Sequence, residues 1–248
     1  ADTRGQSRVS FEMTKTVLSS LLFVSILAPT AFATDPIYVG HRALIHEAPE
    51  NTLPAFVTAT QLGIGIELDV RTSQDGELVV IHDHTIGRTT DGPDLPVSQL
   101  TLAELKSYDA GSWQAPRFAG IKIPTFEESL AAIAQHKAGP TILAINIKQV
   151  TVAGEQTLVD LVEQYDLLEE SYAFDISSES GERMKAINPN FRIGETVRSS
   201  AELDQAIADG LPDALHLGDF LPSVQQVDQM RQAGTQSILN IARHHDDF

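Results

Sequence analysis

Short apolar runs alternate with amphipathic segments along most of the chain. The apolar runs predict eight strands, at 37–41, 65–70, 78–82, 142–147, 172–176, 191–195, 214–217 and 237–241. Apolar residues at helical spacing predict helices between most of them, at 52–62, 125–134, 154–164, 179–186, 201–208 and 223–233. Typical helix-end residues agree with these limits, namely Pro54 in a first turn and Gly63, Gly210 and Gly234 after last turns. Such alternation predicts parallel strands covered by helices.

The number of strands favours one α/β fold over another. Eight strands favour a (β/α)8 TIM barrel, and a doubly wound open sheet is the alternative. The second and third strands are joined only by 72–76, which is too short for a crossover helix, so they are predicted to form an antiparallel hairpin. A stretch rich in Pro, Gly, Asp and Thr at about 88–122 is predicted to be an inserted excursion with one short helix at 102–107.

Residues 13–33 have the pattern of a targeting signal, and residues 1–12 precede a plausible start methionine, Met13, as upstream sequence. Lys15 precedes an apolar run at 17–28, and a small-x-small sequence ends at Ala33. We expect cleavage after Ala33, which leaves 34–248 as the barrel and gives a periplasmic or secreted protein. A membrane anchor is the alternative, but the run is shorter than the roughly 20 residues that cross a bilayer. We therefore expect no stable membrane span after cleavage.

Composition and charge narrow the possible partners. Hydrophobic residues make up 42% of the 248 residues, which is enough for a full globular core. The formal net charge of -17 argues against a nucleic-acid partner or an anionic membrane surface. The sequence contains no cysteine, so any metal site must use oxygen and imidazole ligands.

Two carboxylates interrupt the second predicted strand. Glu67 and Asp69 alternate with apolar residues, so they lie on one face of the strand, about 7 Å apart along the backbone. Two buried carboxylates without a counter-charge repel each other and are costly to desolvate. A hard divalent cation such as Mg²⁺ or Ca²⁺ removes both penalties. The alternative is that both side chains face water on an edge strand.

Two histidines are predicted to join these carboxylates. His41 and His82 lie at the carboxyl ends of the first and third strands, which in a barrel meet at the active-site mouth. A pair of imidazoles can serve as base and acid near neutral pH. Arg42 adds a planar fork that suits phosphate oxygens. The combination predicts chemistry on a phosphorylated substrate.

Three segments carry a family resemblance. The sequences GHRALIHEAPENTLPAF, IELDVRTSQDGELVVIHDHTIGRTTDG and FAGIKIPTFEESL resemble, in order and spacing, the glycerophosphodiester phosphodiesterase family. The resemblance implies a (β/α)8 barrel with a small insertion after the third strand. It also implies cleavage of a small-molecule glycerophosphodiester to glycerol 3-phosphate and an alcohol, with a divalent metal, Ca²⁺ or Mg²⁺, and two histidines.

The resemblance also implies roles for individual residues. His41 and His82 match the catalytic pair, and Glu67 and Asp69 match two metal carboxylates. The residues that match positions at the substrate or around the metal are Arg42, Glu50 and Lys148, of which Arg42 and Lys148 contact the phosphate.

The sequence departs from the family pattern at three places. Asn146 replaces the third metal carboxylate, and an amide oxygen can ligate Ca²⁺ or Mg²⁺ but adds no charge, so weaker metal binding is expected. Ala43 replaces a glycine, a small change unless the backbone there needs a positive φ. The chain ends at Phe248, where the family continues through a final helix, so a barrel without that helix is expected. Two function classes follow: a metal-dependent phosphodiesterase, and a catalytically weakened binding protein on the same barrel.

Overall fold

The structure is a computed structural model that describes residues 38–218 and 220–239. Its strands are β1 Val39–Gly40, β2 Gly65–Thr72, β3 Leu78–Val80, β4 Leu143–Gln149, β5 Ser171–Phe174, β6 Gly194–Val197, β7 Ala214–Leu217 and β8 Gln236–Leu239. Its α-helices are α1 Leu53–Gln61, α2 Leu102–Ser107, α3 Phe126–His136, α4 Val152–Gln164, α5 Ser178–Ile187, α6 Ser200–Asp209 and α7 Val224–Ala233. The predicted signal at 1–33 and the chain end at Phe248, with the expected lack of a final helix, lie outside the described residues.

Every predicted strand and helix that falls in the described part has a counterpart, with ends that differ by a few residues. The largest differences have physical reasons. β1 is only two residues long, because the chain turns at Arg42 and Ala43, which have φ of 51° and 68°. β6 begins at Gly194, later than the predicted 191–195, because its ladder with β7 starts there and Ile193 forms only an isolated bridge to Ala173.

The strands follow each other around the sheet in chain order. β1, β2, β4 and β5 pair in parallel, as do β6, β7 and β8, and a parallel bridge from Ala173 to Ile193 joins the two groups. A doubly wound sheet would reverse its strand order at a switch point, and this one does not. Within the described residues no pairing joins β8 to β1, but Val39 and Ile238 pack on the same interior cluster.

The predicted hairpin is confirmed. β3 is antiparallel to β2 and pairs with its carboxyl-terminal end, from Val70 to Thr72, while β4 pairs in parallel with β2 from Ile66 to Arg71. The segment between β3 and α3 contains α2 and two 3₁₀ turns, Val97–Gln99 and Pro116–Phe118. Its apolar side chains, among them Leu105, form one small cluster with Ile86 and with Val79 of β3, so the inserted excursion predicted at about 88–122 packs against that strand.

Alternate side chains along the inner strands lie in two different environments, the main core and the interior of the barrel. Ile66, Leu68 and Val70 of β2 face outward into the main core beneath the helices. The intervening residues face inward, where Ala144 and Tyr172 form the interior cluster. The sheet therefore delivers its polar inward residues to the inside of the wall.

Helix ends are fixed by local chemistry. Thr101, Thr125 and Ser223 each form a capping box with a Glu or Gln three residues later. Gly234 ends α7 in the left-handed conformation, as its position after the helix predicted. Among the helices of the described segments, none has both the length and the apolar character needed to cross a membrane.

Candidate active site at the carboxyl ends of the strands

The loop after β1 is tied to β2 by backbone hydrogen bonds. The Arg42 N–H donates to Oε2 of Glu67 at 2.8 Å, and the Ala43 N–H is 3.1 Å from the carbonyl oxygens of both Gly40 and Glu67. Both Arg42 and Ala43 adopt the left-handed conformation. Position 43 therefore does require a positive φ, so the alanine is a strained choice where the family has glycine.

The two carboxylates of β2 are buried in the barrel wall. Glu67 is 3% exposed and Asp69 is 0% exposed, so the edge-strand alternative is wrong. Asn51 holds Asp69 on two sides: its Nδ2 donates to Oδ2 at 2.7 Å, and its Oδ1 accepts from the Asp69 N–H at 3.3 Å. Two cations approach the same carboxylate, with Lys148 Nζ 3.4 Å from Oδ1 and Arg42 Nε 3.8 Å from Oδ2.

The surroundings of Glu67 disfavour the charged form of its carboxyl group. Burial, and then the charge of Asp69, raise the pKa of the Glu67 carboxyl to about 8, against the opposing hydrogen bond from the Arg42 backbone. A carboxyl in this environment is stabilised in its ionised form by any cation that binds beside it.

The inner wall has donor atoms that suit a hard cation. Asp69 and Asn146 are partners in the β2–β4 register, and Oδ1 of each is buried with no hydrogen-bond partner in the described part of the chain. Together with Glu67 they offer two carboxylates and one amide oxygen, which are ligand types of Ca²⁺ and Mg²⁺. Within 38–218 and 220–239 there is no group of three or more His, Asp or Glu side chains arranged to hold a metal. The donor set fits a divalent cation chemically, with one charge fewer than a three-carboxylate site.

The two histidines have different surroundings. Burial, and then the charge of Arg42, lower the pKa of His41, although Asp69 and Glu50 act in the opposite direction. His82 has its Nδ1 2.7 Å from Oδ1 of Asp83.

The backbone of His82 is fixed as well. Its carbonyl oxygen accepts two hydrogen bonds from Arg71, at 3.0 and 2.7 Å. Hydrogen bonds join Arg42, which follows His41, through Glu50 and Arg88 to Asp83 beside His82, and Arg42 also approaches Asp69, so the structure brings the predicted residues to one mouth.

Glu50 lies between two arginines at the rim. Arg42 Nη1 donates to its Oε1 at 3.0 Å, and Arg88 donates to both of its oxygens. Burial acts to raise the pKa of Glu50, but the hydrogen bonds and charges of Arg88 and Arg42 outweigh it and lower that pKa. Glu50 is therefore an ionised carboxylate that orients Arg42.

Sequence reasoning gave no role to several residues at this site. Asn51, Asp83 and Arg88 lie inside the motifs, but their contacts with residues up to 38 positions away have no signal in a single sequence. Tyr172 Oη and His216 Nδ1 are buried inside the barrel and have no hydrogen-bond partner among the residues that the structure describes. Burial, and then Glu67, raise the pKa of Tyr172. The sequence gives no sign that these two residues belong with the site, because only the folded barrel places both side chains on its inner side.

A second concavity lies away from these residues. A cavity of about 790 Å³ runs along β6 and α5, with Lys185 and Arg198 in its lining. It contains none of the predicted site residues, so its size does not identify it as the reaction site.

The chain is similar to known proteins over most of its described length. The sequence profile of the Glycerophosphoryl diester phosphodiesterase family matches residues 41–232. A glycerophosphodiester phosphodiesterase of Caldanaerobacter subterraneus subsp. tengcongensis is 37% identical over 162 residues, which cover 64% of this chain and 65% of the relative. The matched region thus spans just under two thirds of that curated relative.

Solved structures give the same picture. A glycerophosphodiester phosphodiesterase from Agrobacterium tumefaciens superposes with a TM-score of 0.67 at 29% identity, covering 82% of this chain and 85% of the other. A phosphodiesterase from Oleispira antarctica, solved in complex with the product sn-glycerol-3-phosphate, superposes with a TM-score of 0.65 at 29% identity and covers 83% and 84% of the two chains. The predicted TIM-barrel fold is confirmed by this likeness.

Proposed function

Because the chain belongs to the glycerophosphoryl diester phosphodiesterase family, we propose that it is a metal-dependent hydrolase that cleaves glycerophosphodiesters to glycerol 3-phosphate and an alcohol. The relative from Caldanaerobacter carries the name of this activity, and the Oleispira structure contains one of its products. The observation that supports the proposal is that Arg42 and Lys148 both approach the buried Asp69, while hydrogen bonds join Arg42 to Glu67 and, through Glu50 and Arg88, to Asp83 beside His82.

Arg42 and Lys148 are proposed to bind the phosphate. The buried Nε of Arg42 has no hydrogen-bond partner in the described part of the chain, while Glu50 holds Nη1. Lys148 approaches Asp69 only to 3.4 Å, so its ammonium group can also donate to a substrate oxygen. Both cations stabilise negative charge that builds up on the phosphoryl oxygens.

The histidines are proposed to move the protons. Burial and Arg42 favour a neutral His41 ring, which suits the base that removes the proton from the substrate's own glycerol hydroxyl. Asp83 supplies a counter-charge beside His82, which suits the acid that protonates the leaving alcohol. Attack by the glycerol hydroxyl gives a cyclic phosphate, which water opens with the two roles exchanged.

Glu67, Asp69 and Asn146 are proposed to hold the divalent cation. When bound, a Ca²⁺ or Mg²⁺ ion supplies Lewis-acid polarisation of a phosphoryl oxygen. The residues of the chain contribute the fixed positions of its ligands: Asn51 orients Asp69, and the Arg42 backbone orients Glu67.

Metal removal tests the proposed activity. Incubation with glycerophosphocholine and Ca²⁺ or Mg²⁺ is expected to release glycerol 3-phosphate, measured by a coupled dehydrogenase assay. A chelator is expected to reduce the rate to background, because the two buried carboxylates then repel each other and no divalent ion polarises a phosphoryl oxygen. Added metal is expected to restore the rate. Absence of release with either ion, over a panel of glycerophosphodiesters, would contradict the enzyme proposal.

The second candidate function is a catalytically weakened binding protein. The neutral Asn146 favours it, because the site then has one charge fewer to hold the metal. This protein would bind glycerophosphodiesters by calorimetry without releasing glycerol 3-phosphate in the assay above.

We further propose a periplasmic or secreted location, which the targeting pattern of residues 1–33 supports. When the full chain is expressed in a bacterium with an export system, the protein from the periplasmic fraction is expected to begin at Thr34. Retention of the full chain in the cytoplasmic fraction would contradict the proposal.

A further inference from the structure

Arg88 of the insertion joins the two loops that carry the histidines. Its Nη1 and Nη2 donate to Oε2 and Oε1 of Glu50 at 2.9 and 2.7 Å. Its Nε and Nη2 donate to Oδ2 and Oδ1 of Asp83 at 2.5 and 3.0 Å. Each carboxylate is held by two hydrogen bonds, a geometry that suits the planar arginine fork and that a lysine ammonium cannot reproduce.

Both carboxylates also contact residues at the mouth. Glu50 accepts from Arg42, which is proposed to bind the phosphate. Asp83 lies 2.7 Å from Nδ1 of His82. One chain of contacts therefore runs from Arg42 to His82, and Arg88 is its central member.

The donors of Arg88 are already occupied. A guanidinium has five N–H donors, and the four hydrogen bonds of Arg88 to carboxylates use four of them. Arg42 keeps a buried Nε that has no hydrogen-bond partner in the described segments. Arg42 therefore has an N–H donor left for a phosphate, whereas Arg88 uses its donors to hold two carboxylates.

The carboxylate of Asp83 determines which nitrogen of His82 carries the proton. The hydrogen bonds from Arg88 hold the pKa of Asp83 well below its usual range, so Asp83 is ionised and can only accept. Nδ1 of His82 must then donate, which leaves Nε2 for proton transfer.

We infer that Arg88 is a positioning residue that holds Asp83 against Nδ1 of His82 and thereby fixes the tautomer of the neutral ring, so that Nε2 is the atom that gives up or takes up the proton in the reaction. The inference rests on the proposed function for its catalytic consequence. The tautomer itself is a property of the resting protein and can be measured without substrate.

Nuclear magnetic resonance of the histidine rings provides the test. Protein labelled with ¹⁵N in its histidine rings is compared with Arg88→Gln and Arg88→Lys, and the His82 signals are assigned from the spectrum of His82→Gln. The native His82 is expected to be protonated at Nδ1, and both Arg88 variants are expected to show a larger fraction of the Nε2–H form. Their kcat is expected to fall on the order of 10- to 100-fold, as for lost partners that orient site residues.

Arg183→Gln is the matched control. The Arg183 side chain is 42% exposed, against 43% for Arg88, and its Nε and Nη2 both donate at 2.6 Å to a buried carboxylate, that of Glu155. This pair links α4 and α5 outside the barrel wall. Arg183→Gln is expected to lower the thermal midpoint at least as much as Arg88→Gln, while the His82 signals and kcat stay unchanged.

The His82 ring signals decide whether the inference about Arg88 holds. Native-like His82 tautomer signals in Arg88→Gln would overturn the inference, whatever the activity of the variant. Absence of turnover in the native protein would count against the proposed function, and the tautomer comparison would still support or overturn the role of Arg88.

Discussion

Replacing His41 with alanine is expected to lower kcat for glycerophosphodiester cleavage by about 10²- to 10⁴-fold, the usual contribution of a positioned general acid or base. The ring lies beside Arg42 and within the field of Asp69, and burial with the charge of Arg42 favours its neutral form. His82 is proposed to be the acid of the first step, with its Nδ1 2.7 Å from Asp83, so it cannot serve as the base of that step at the same time. Initial rates of glycerol 3-phosphate release at saturating substrate measure the effect.

Three accompanying measurements make this result specific. Ca²⁺ binding to His41→Ala, followed by calorimetry, is expected to equal that of the native protein, because His41 is not among the proposed ligands. His136→Gln on the outer helix α3 is the control and should keep native kcat, since the hydrogen bond of this ring is to the Ala132 carbonyl of its own helix. His82→Ala is expected to cause a similar loss, and the double variant less than the product of the two. Native kcat in His41→Ala would show that the ring takes no part in the reaction.

Introducing Asn146→Glu is expected to tighten Ca²⁺ or Mg²⁺ binding by about 10- to 100-fold. The new carboxylate adds a full charge beside Asp69 and Glu67, and charges 4 Å apart interact by roughly 4 kcal/mol at an effective dielectric constant of 20, part of which desolvation cancels. The same charge is expected to lower the thermal midpoint of the metal-free protein, because three carboxylates then share a buried wall. Compared with the native protein, the variant should be less stable without metal and should gain more stability when metal binds.

Asn146→Gln separates charge from size. Glutamine has the length of glutamate without its charge, so this variant is expected to bind metal no better than the native protein. Calorimetric titration and thermal midpoints with and without Ca²⁺ measure both effects. Equal metal affinity in the Glu and Gln variants would show that residue 146 does not ligate the ion. A large gain in kcat with the tighter site would identify metal affinity as the factor that limits this enzyme.

Local periodicity predicted most of the elements. The alternation of Glu67 and Asp69 with apolar neighbours indicated one polar face on β2, and the short connection at 72–76 indicated the hairpin. These features depend on neighbours in the chain, so a single sequence contains them. The strained turn at Ala43 was foreseen only as a condition, because a backbone φ depends on the hydrogen bonds that hold it.

The site was predicted less completely than the fold. Motif order identified His41, His82, Glu67 and Asp69, and the structure brings them to one mouth. Their supporting residues had no assigned role, although Asn51 and Asp83 lie inside the same motifs. A motif indicates which residues are present, and it does not indicate which of their atoms meet.

The sequence by itself determined the order of strands and helices, the polar inner face of β2 and the family, because these depend on spacing along the chain. The tertiary structure alone decided that Glu67 and Asp69 are buried, that Asp69 and Asn146 are neighbours, and that Arg88 joins Glu50 to Asp83. The physical reason is that burial and long-range hydrogen bonds arise only when the wall of the barrel assembles. Strand pairing and loop packing then set the distances between side chains that are far apart in the sequence.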